Sequence, residues 1–350
     1  MRKAMHNEIA AVLRCQRLRD LIETIKPVHT LNSKDCPMPP SPSASSRLRA
    51  LLRAGKTLVK PGAYNALSAK IIEQAGFQCC GVTGYGVSAS LLGKPDVGLI
   101  TLNEIVMITR YITRAVSIPV IADADTGFGN AINVMRTVDD FITAGAAAIH
   151  IEDQIAPKRC GHVAGKQIIA MEEMAGKLRA ADKVRRELDP DFVLIARCDA
   201  RGVAGGSVDD LIVRANAYLE AGADMIFPEA LTSEAELERC AKEIKGPLHF
   251  NRTGVSPRLH VSRLNEIGIA MVSNATGSLR SSAVAMVDYF DEFAKDDVDA
   301  VKRFEARTKD HPAGNMHAFI GFPEIKKLEE EFLPSAQVLA KYEGSVGFQP

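Results

Sequence analysis

From residue 57 onward the apolar positions fall into short continuous runs separated by amphipathic stretches. Four runs follow a small-residue turn that ends a helical pattern: Gln74–Thr83, Thr143–Glu152, Glu220–Glu229 and Glu266–Asn274. Glycine in those turns suits a helix C-cap, where φ > 0 is needed. Proline or aspartate introduces three more runs, Ile118–Asp123, Asp191–Arg197 and Pro247–Asn251. With Thr57–Pro61 they predict eight strands, near positions 58, 80, 121, 149, 194, 226, 248 and 272. Continuous rather than alternating apolar strands indicate a parallel sheet covered on both faces.

Helical patterns occupy 65–75, 103–115, 131–144, 171–187, 207–221, 233–245, 260–267 and 279–293. Eight strand–helix units in about 240 residues predict a (β/α)8 TIM barrel. The alternative, an open doubly wound sheet, is disfavoured because no GxGxxG follows the first strand. Two helical patterns follow, at 296–309 and 323–342, placed to pack on a neighbouring subunit. Residues 30–46 are Pro/Ser-rich and read as a linker. The predicted organisation is an N-terminal extension over 1–46, a catalytic barrel over 47–295 and a helical extension over 296–350. A basic amphipathic pattern at 1–25 is interrupted by Glu8, Asp20 and Glu23 and lacks an apolar targeting core. It reads as a dispensable extension or oligomer arm, with mitochondrial import as the alternative.

Composition narrows the partners. Forty-three basic residues balance 43 acidic ones, which argues against nucleic acid or an acidic membrane surface. No apolar run approaches the ~20 residues of a membrane span. The seven cysteines are scattered, with no CxxC pair. They read as free thiols in a reducing compartment, and the protein as cytoplasmic.

Barrel enzymes carry their chemistry at the C-terminal strand ends. Here those ends read Thr83-Gly84-Tyr85, Asp123-Ala-Asp125, Glu152-Asp153, Arg197-Cys-Asp199, Glu229, Asn251 and Asn274. Taken singly each suits a cap or turn, and Asp153, Asp199 and Asn274 are so read. Their convergence points to one polar site. Asp123 and Asp125, two apart on a strand, should point to the same side and repel unless a cation or proton lies between them. Oxygen ligands without a His or Cys pair favour Mg2+ or Mn2+ over zinc, with Glu152 completing the shell. The alternative is a structural salt bridge to Arg197.

Pro157–Lys166 reads as a mobile anion-binding loop. Within it, Lys158, Arg159 and His162 surround Cys160 in sequence, and positive neighbours favour thiolate. Cys79, Cys80, Cys198 and Cys240 read as packing residues, and His150 and His249 as satisfied core histidines.

Lys158-Arg-Cys-Gly-His162, Asp123–Gly129 and Ile151-Glu-Asp-Gln154 together resemble the isocitrate lyase/phosphoenolpyruvate mutase superfamily. Pro61–Ala69, Ser90–Gly98 and Ala196–Ala200 extend the likeness across about residues 47–293. It is nearest to the branches acting on 2-methylisocitrate, dimethylmalate and carboxyphosphonoenolpyruvate. The resemblance implies Mg2+ dependence, a homotetramer whose last helix can exchange between subunits, and a small di- or tricarboxylate substrate. It implies Asp125 as direct metal ligand, with Asp96, Asp123 and Glu152 holding metal waters. Thr83, Gly84 and Tyr85 would bind the substrate carboxylate, and Arg197 would clamp an oxyanion. Glu229, Asn251 and Thr253 would face the distal carboxylate, with Gly161 and His162 contributing from the loop beside Lys158. Cys160 would protonate the departing carbanion.

Relatives that move phosphoryl groups often lack this cysteine, so it favours carbon–carbon cleavage releasing a ketoacid such as pyruvate. A phosphonomutase, an oxaloacetate hydrolase or decarboxylase, and a catalytically silent barrel are the alternatives. The sequence departs from the family pattern at Tyr64-Asn65, at Cys198, along Asn251–Pro257, where an acidic residue is missing and Arg252 appears, and at Met271–Gly277.

Overall fold

The computed structural model describes residues 42–161 and 163–348. The pattern at 1–25, residues 30–41 of the Pro/Ser-rich stretch, and His162 lie outside the described residues. Eight parallel strands form: β1 (Leu58–Ala63), β2 (Cys80–Val82), β3 (Val120–Asp123), β4 (Ala148–Glu152), β5 (Val193–Cys198), β6 (Met225–Pro228), β7 (His249–Asn251) and β8 (Met271–Asn274). Each pairs with its sequence neighbour from β1 to β6, and β8 lies between β1 and β7. The Ile226–Leu248 bridge spans β6 and β7, with Ile226 N donating to Pro247 O at 3.0 Å. The sheet therefore closes as a (β/α)8 barrel, and the open-sheet alternative falls.

Two apolar layers explain the continuous runs. Leu58, Cys79, Ile121, Ala148, Val193, Ile195, Met225 and Met271 fill the barrel interior at the strand N-termini. Phe141, Tyr218, Leu178 and Ile112 belong to the layer between strands and outer helices. Buried side chains of this size contribute roughly 1.5–3 kcal/mol each.

Helix Ala44–Arg53 plugs the bottom of the barrel through Leu48, which is fully buried. Arg49 ties that helix to the starts of β5 and β6, donating to Asp191 O at 2.7 Å and to Asp224 at 3.2 Å. The helix begins three residues ahead of the predicted start at Arg47, because Ser43 caps it by accepting from Ser46 N at 3.1 Å.

Helices fill the predicted gaps, from Ala66–Gln74 round to Gly277–Asp296. The turn predicted after helix Ala131–Thr143 places Gly145 at φ 87°, where a Cβ would be strained. The single pattern predicted over 323–342 is two helices, Phe322–Phe332 and Ser335–Tyr342. Pro334 forces Leu333 into extended backbone between them. Helix Gly277–Asp296 buries none of its residues and exposes Val284, Val287 and Phe290. No described helix is long and apolar enough to cross a membrane.

Candidate active site

A cavity of about 1250 Å3 opens at the strand C-termini. Among the predicted site residues, Thr83, Tyr85, Asp96, Asp123 and Cys160 line it on one side. Gly161, Arg197, Glu229, Asn251 and Thr253 line it on the other. Gly84, Asp125, Glu152 and Lys158 connect behind these. The structure thus gathers every described candidate into one region.

The acid cluster is organised by backbone amides and one lysine. Gly84 N donates to Asp123 Oδ2 at 3.1 Å, and Asp125 N donates to Asp123 Oδ1 at 3.1 Å. A Cβ at Gly84 would lie 2.7 Å from Asp123 Oδ2, so only glycine fits. The Gly84 amide is thus committed to Asp123 in this structure, whereas the resemblance assigned it to substrate.

Asp123 and Asp125 converge, but not as two positions of one strand. β3 ends at Asp123, and Asp125 lies beyond it at φ 45°. That left-handed turn, not the strand alternation, aims Asp125 back at its neighbour.

Lys158 Nζ stands 2.7 Å from Asp96 and 2.9 Å from Asp125. Burial opposes its charge, but Asp125, Glu152, Asp123 and Asp96 together hold its pKa well above the usual value. Its charge is engaged with carboxylates, not with the Cys160 thiol as sequence proximity predicted. Burial pushes Asp125 up to about 6, with Lys158 opposing and Asp123 and Asp96 adding repulsion. Burial also raises Glu152 well above the usual carboxylate range. Asp123 is held below that range against its burial. His150 is neutral near pH 7, since burial lowers it to about 3. The cations acting on Asp123 are therefore Lys158 and Arg197.

Arg197 Nη1 lies 3.2 Å from Glu152, its Nε 2.8 Å from Asp199, and its Nη2 3.5 Å from Glu229. The Glu152–Arg197 bridge weighed from sequence is present, while Asp123 and Asp125 pair elsewhere. The capping role read for Asp199 and Asp153 is replaced by a buried network. Asp199 takes Arg197 and Lys166, the latter at 2.6 Å, while Asp153 accepts from Asp199 N at 2.8 Å and from Tyr218 Oη at 2.7 Å. Both aspartates are fully buried, so their oxygens must find partners inside the protein.

Within the segment predicted as a mobile loop, the described residues 157–161 and 163–166 pack down at the strand ends. Gln154 brackets Arg159 with two hydrogen bonds of 3.0 Å, and Lys166 Nζ donates to Gly161 O at 2.7 Å. Cys160 N donates to Asp96 O at 3.2 Å. A Cβ at Gly161 would overlap Arg197 Nη2 and lie 2.8 Å from Glu229 Cδ. Glycine is what lets the loop close on that pair. Thr83 caps the short helix Gly84–Val87, its hydroxyl accepting from Gly86 N at 3.4 Å. Thr253 Oγ1 donates to Asn251 Oδ1 at 2.8 Å.

Three residues in or behind the cavity wall were not foreseen in these roles. His150, which lines the cavity, and His249, fully buried, are not the satisfied core histidines predicted: each leaves Nδ1 buried without a hydrogen bond. Lys60, on β1, also lines the cavity. Its sequence signal was a charge inside an apolar parallel-strand run.

The donor set suits a hard cation. Asp96, Asp123, Asp125 and Glu152 offer only oxygen, and Glu152 Oε1 is buried with no hydrogen-bond partner. In the described state Lys158 supplies the positive charge between Asp96 and Asp125. As placed, no three His, Cys, Asp or Glu side chains among the described residues close on one metal position.

A closed barrel with its acids, guanidinium and thiol gathered at the strand C-termini is the layout of a (β/α)8 enzyme. A family model described as phosphoenolpyruvate phosphomutase matches residues 48–294, and the chain belongs to the isocitrate lyase/phosphoenolpyruvate mutase superfamily. It is 44% identical over 260 residues to 2,3-dimethylmalate lyase of Eubacterium barkeri, covering 74% of this chain and 89% of that protein. It is 41% identical over 305 residues to 2-methylisocitrate lyase of Aeropyrum pernix, covering 85% and 94%. A crystal structure of 2,3-dimethylmalate lyase superposes with TM-score 0.79 and 32% identity, covering 88% of this chain and 100% of that one. Phosphonopyruvate hydrolase in complex with oxalate and Mg++ superposes with TM-score 0.72 and 30% identity, covering 84% and 100%.

Proposed function

We propose that the chain is a Mg2+- or Mn2+-dependent carbon–carbon lyase that cleaves a 2-methylisocitrate or 2-alkylmalate type acid to a ketoacid and a carboxylate. The observation that carries it is Cys160 on the cavity wall, on a loop closed against Arg197 and Glu229. The similarity to two lyases named for such acids supports the same substrate class.

Asp125, Asp123, Asp96 and Glu152 are the residues that would hold the metal. When bound, the ion would polarise the substrate oxygen and offset the charge that develops there. Thr83 and Tyr85, at the cavity wall, would seat the carboxylate beside the reacting carbon. The substrate hydroxyl must first give its proton to a base; as the carbon–carbon bond then breaks, its electron pair passes to the carbon next to the leaving carboxylate while the resulting alkoxide becomes a carbonyl. The Cys160 thiol gives that carbon a proton and becomes thiolate. Arg197, rigidly held by three acids, faces the negative charge without having to reorganise. Asn251 and Thr253 would meet the distal carboxylate. The exposed apolar stripe of helix Gly277–Asp296 suits subunit packing, so a homotetramer is part of the same proposal.

A Mg2+-dependent panel of 2-methylisocitrate, 2,3-dimethylmalate and oxaloacetate, read by ketoacid release, tests the proposal. Turnover of one of the first two, lost in Cys160→Ser with ligand binding retained, is the expected result. Turnover of oxaloacetate alone would make the chain a hydrolase or decarboxylase, and full activity in Cys160→Ser would remove the acid role.

A further inference from the structure

Below the acid cluster the cavity has a floor that the lyase chemistry leaves unused. Lys60 stands mid-strand on β1, in register with Ser273 of β8, and is 5% exposed. Its stem lies against Gly81, where a Cβ would come within 3.1 Å of Lys60 Cδ and Cε. Four lysines are buried among the described residues, and three of them hold an oxygen closely. Lys158 has Asp96 at 2.7 Å, Lys166 has Asp199 at 2.6 Å, and Lys177 donates to Thr126 O at 3.0 Å. The Lys60 side chain has no carboxylate within 4.0 Å and no hydrogen bond among the described residues.

The surroundings make this more than a stray charge. His150 lines the same cavity, and its Nδ1 is buried without a hydrogen bond, 3.5 Å from Asp123 Oδ1. Phe227 and Ser273 line the floor; His249 is buried against Phe227, with ring centroids 4.4 Å apart, and its Nε2 is bonded to Ser273 Oγ at 2.6 Å. Arg197 and Lys158, the cations higher in the cavity, are already engaged by acids. A buried ammonium without a counter-ion is costly, and a ligand carboxylate would relieve that cost with a charge-assisted hydrogen bond.

We propose that Lys60, with His150 beside it, forms an anion-receiving floor that binds a carboxylate of the ligand and selects acids able to place one there. This rests on the proposed function only in taking the ligand to be a small carboxylic acid. Lys60 then acts in binding and specificity, separate from proton delivery by Cys160. Gly81 is part of the device, since any side chain there would displace the lysine stem.

Calorimetric titration of oxalate into the wild-type protein, Lys60→Met and Lys60→Gln tests this, with and without Mg2+. Thermal melts check that each variant is folded. At least a tenfold loss of oxalate affinity in both variants is expected. Unchanged affinity in both would overturn the proposal, as would a wild type that binds no oxalate in either buffer. A borohydride-trapped adduct of pyruvate on Lys60 would also overturn it, since the amine would then be a nucleophile rather than an ion-pair partner. Because the readout is binding, a chain that turns over none of the lyase acids yet loses oxalate affinity at Lys60 sinks the lyase proposal and leaves the floor. A working lyase with unchanged affinity does the reverse.

Discussion

Replacing Lys60 with methionine should make the protein more stable at neutral pH, although it removes a charge from the heart of the barrel. Burial lowers the Lys60 ammonium from 10.5 to about 8, and the Asp123 carboxylate only partly opposes the shift. The folded state therefore disfavours the protonated form. Below pH 8 folded and unfolded chains both carry the proton, and the folded one bears the full cost. Between pH 8 and 10.5 the folded chain sheds the proton while the unfolded chain keeps it, so stability rises with pH. Above 10.5 neither carries it and no penalty remains. The gap corresponds to about 3 kcal/mol, an upper figure for the gain at pH 7. Methionine keeps most of the stem that packs on Gly81, so little packing is lost.

For a chain of this size such a gain moves the thermal midpoint by on the order of 5 °C. The measurement is a pair of melts, wild type against Lys60→Met, at pH 7 and near pH 10.5 without divalent ions. The variant should lead at pH 7 and the two should converge at high pH. Other alkaline titrations cancel in the difference. A variant equal to or weaker than wild type at pH 7, or a lead that persists undiminished at pH 10.5, would refute the desolvation account. The combination of higher stability with weaker oxalate binding is the signature of a charge kept for a ligand.

Two further outcomes follow from the site geometry. Asp125→Asn should weaken Mn2+ binding, followed by paramagnetic resonance of the free ion, by roughly tenfold or more, on the order of 1.4 kcal/mol; wild-type affinity would take Asp125 out of the ligand set. Gly161→Ala puts a methyl onto Arg197 and Glu229, so kcat/KM should fall about 100-fold with the thermal midpoint nearly unchanged. Wild-type kinetics in that variant would mean the closed loop plays no part in turnover.

The barrel was legible because a parallel strand covered on both faces must be apolar throughout, and eight such runs leave little other architecture. The convergence of polar strand ends was legible for the same reason: they interrupt otherwise apolar runs. What sequence spacing could not reveal is which charge answers which. Asp123 and Asp125 were rightly joined, but by a left-handed turn beyond β3 rather than by strand alternation. Lys158 was assigned to Cys160 by proximity along the chain, yet its ammonium is buried among Asp96 and Asp125. Desolvation decides such pairings, because a buried cation takes the nearest carboxylates in space whatever their distance in sequence.

Lys60 shows the same rule from the other side. In sequence it is one charged residue of the strand run Thr57–Pro61. Its meaning depends on closure of β1 against β8, on the missing side chain at Gly81, and on acids higher in the barrel being already paired with Lys158 and Arg197. None of these is local. Among the described residues, a buried lysine left without an ion pair once Lys158 and Lys166 have theirs is a property of the closed barrel, and it leaves the Lys60 ammonium open to a ligand.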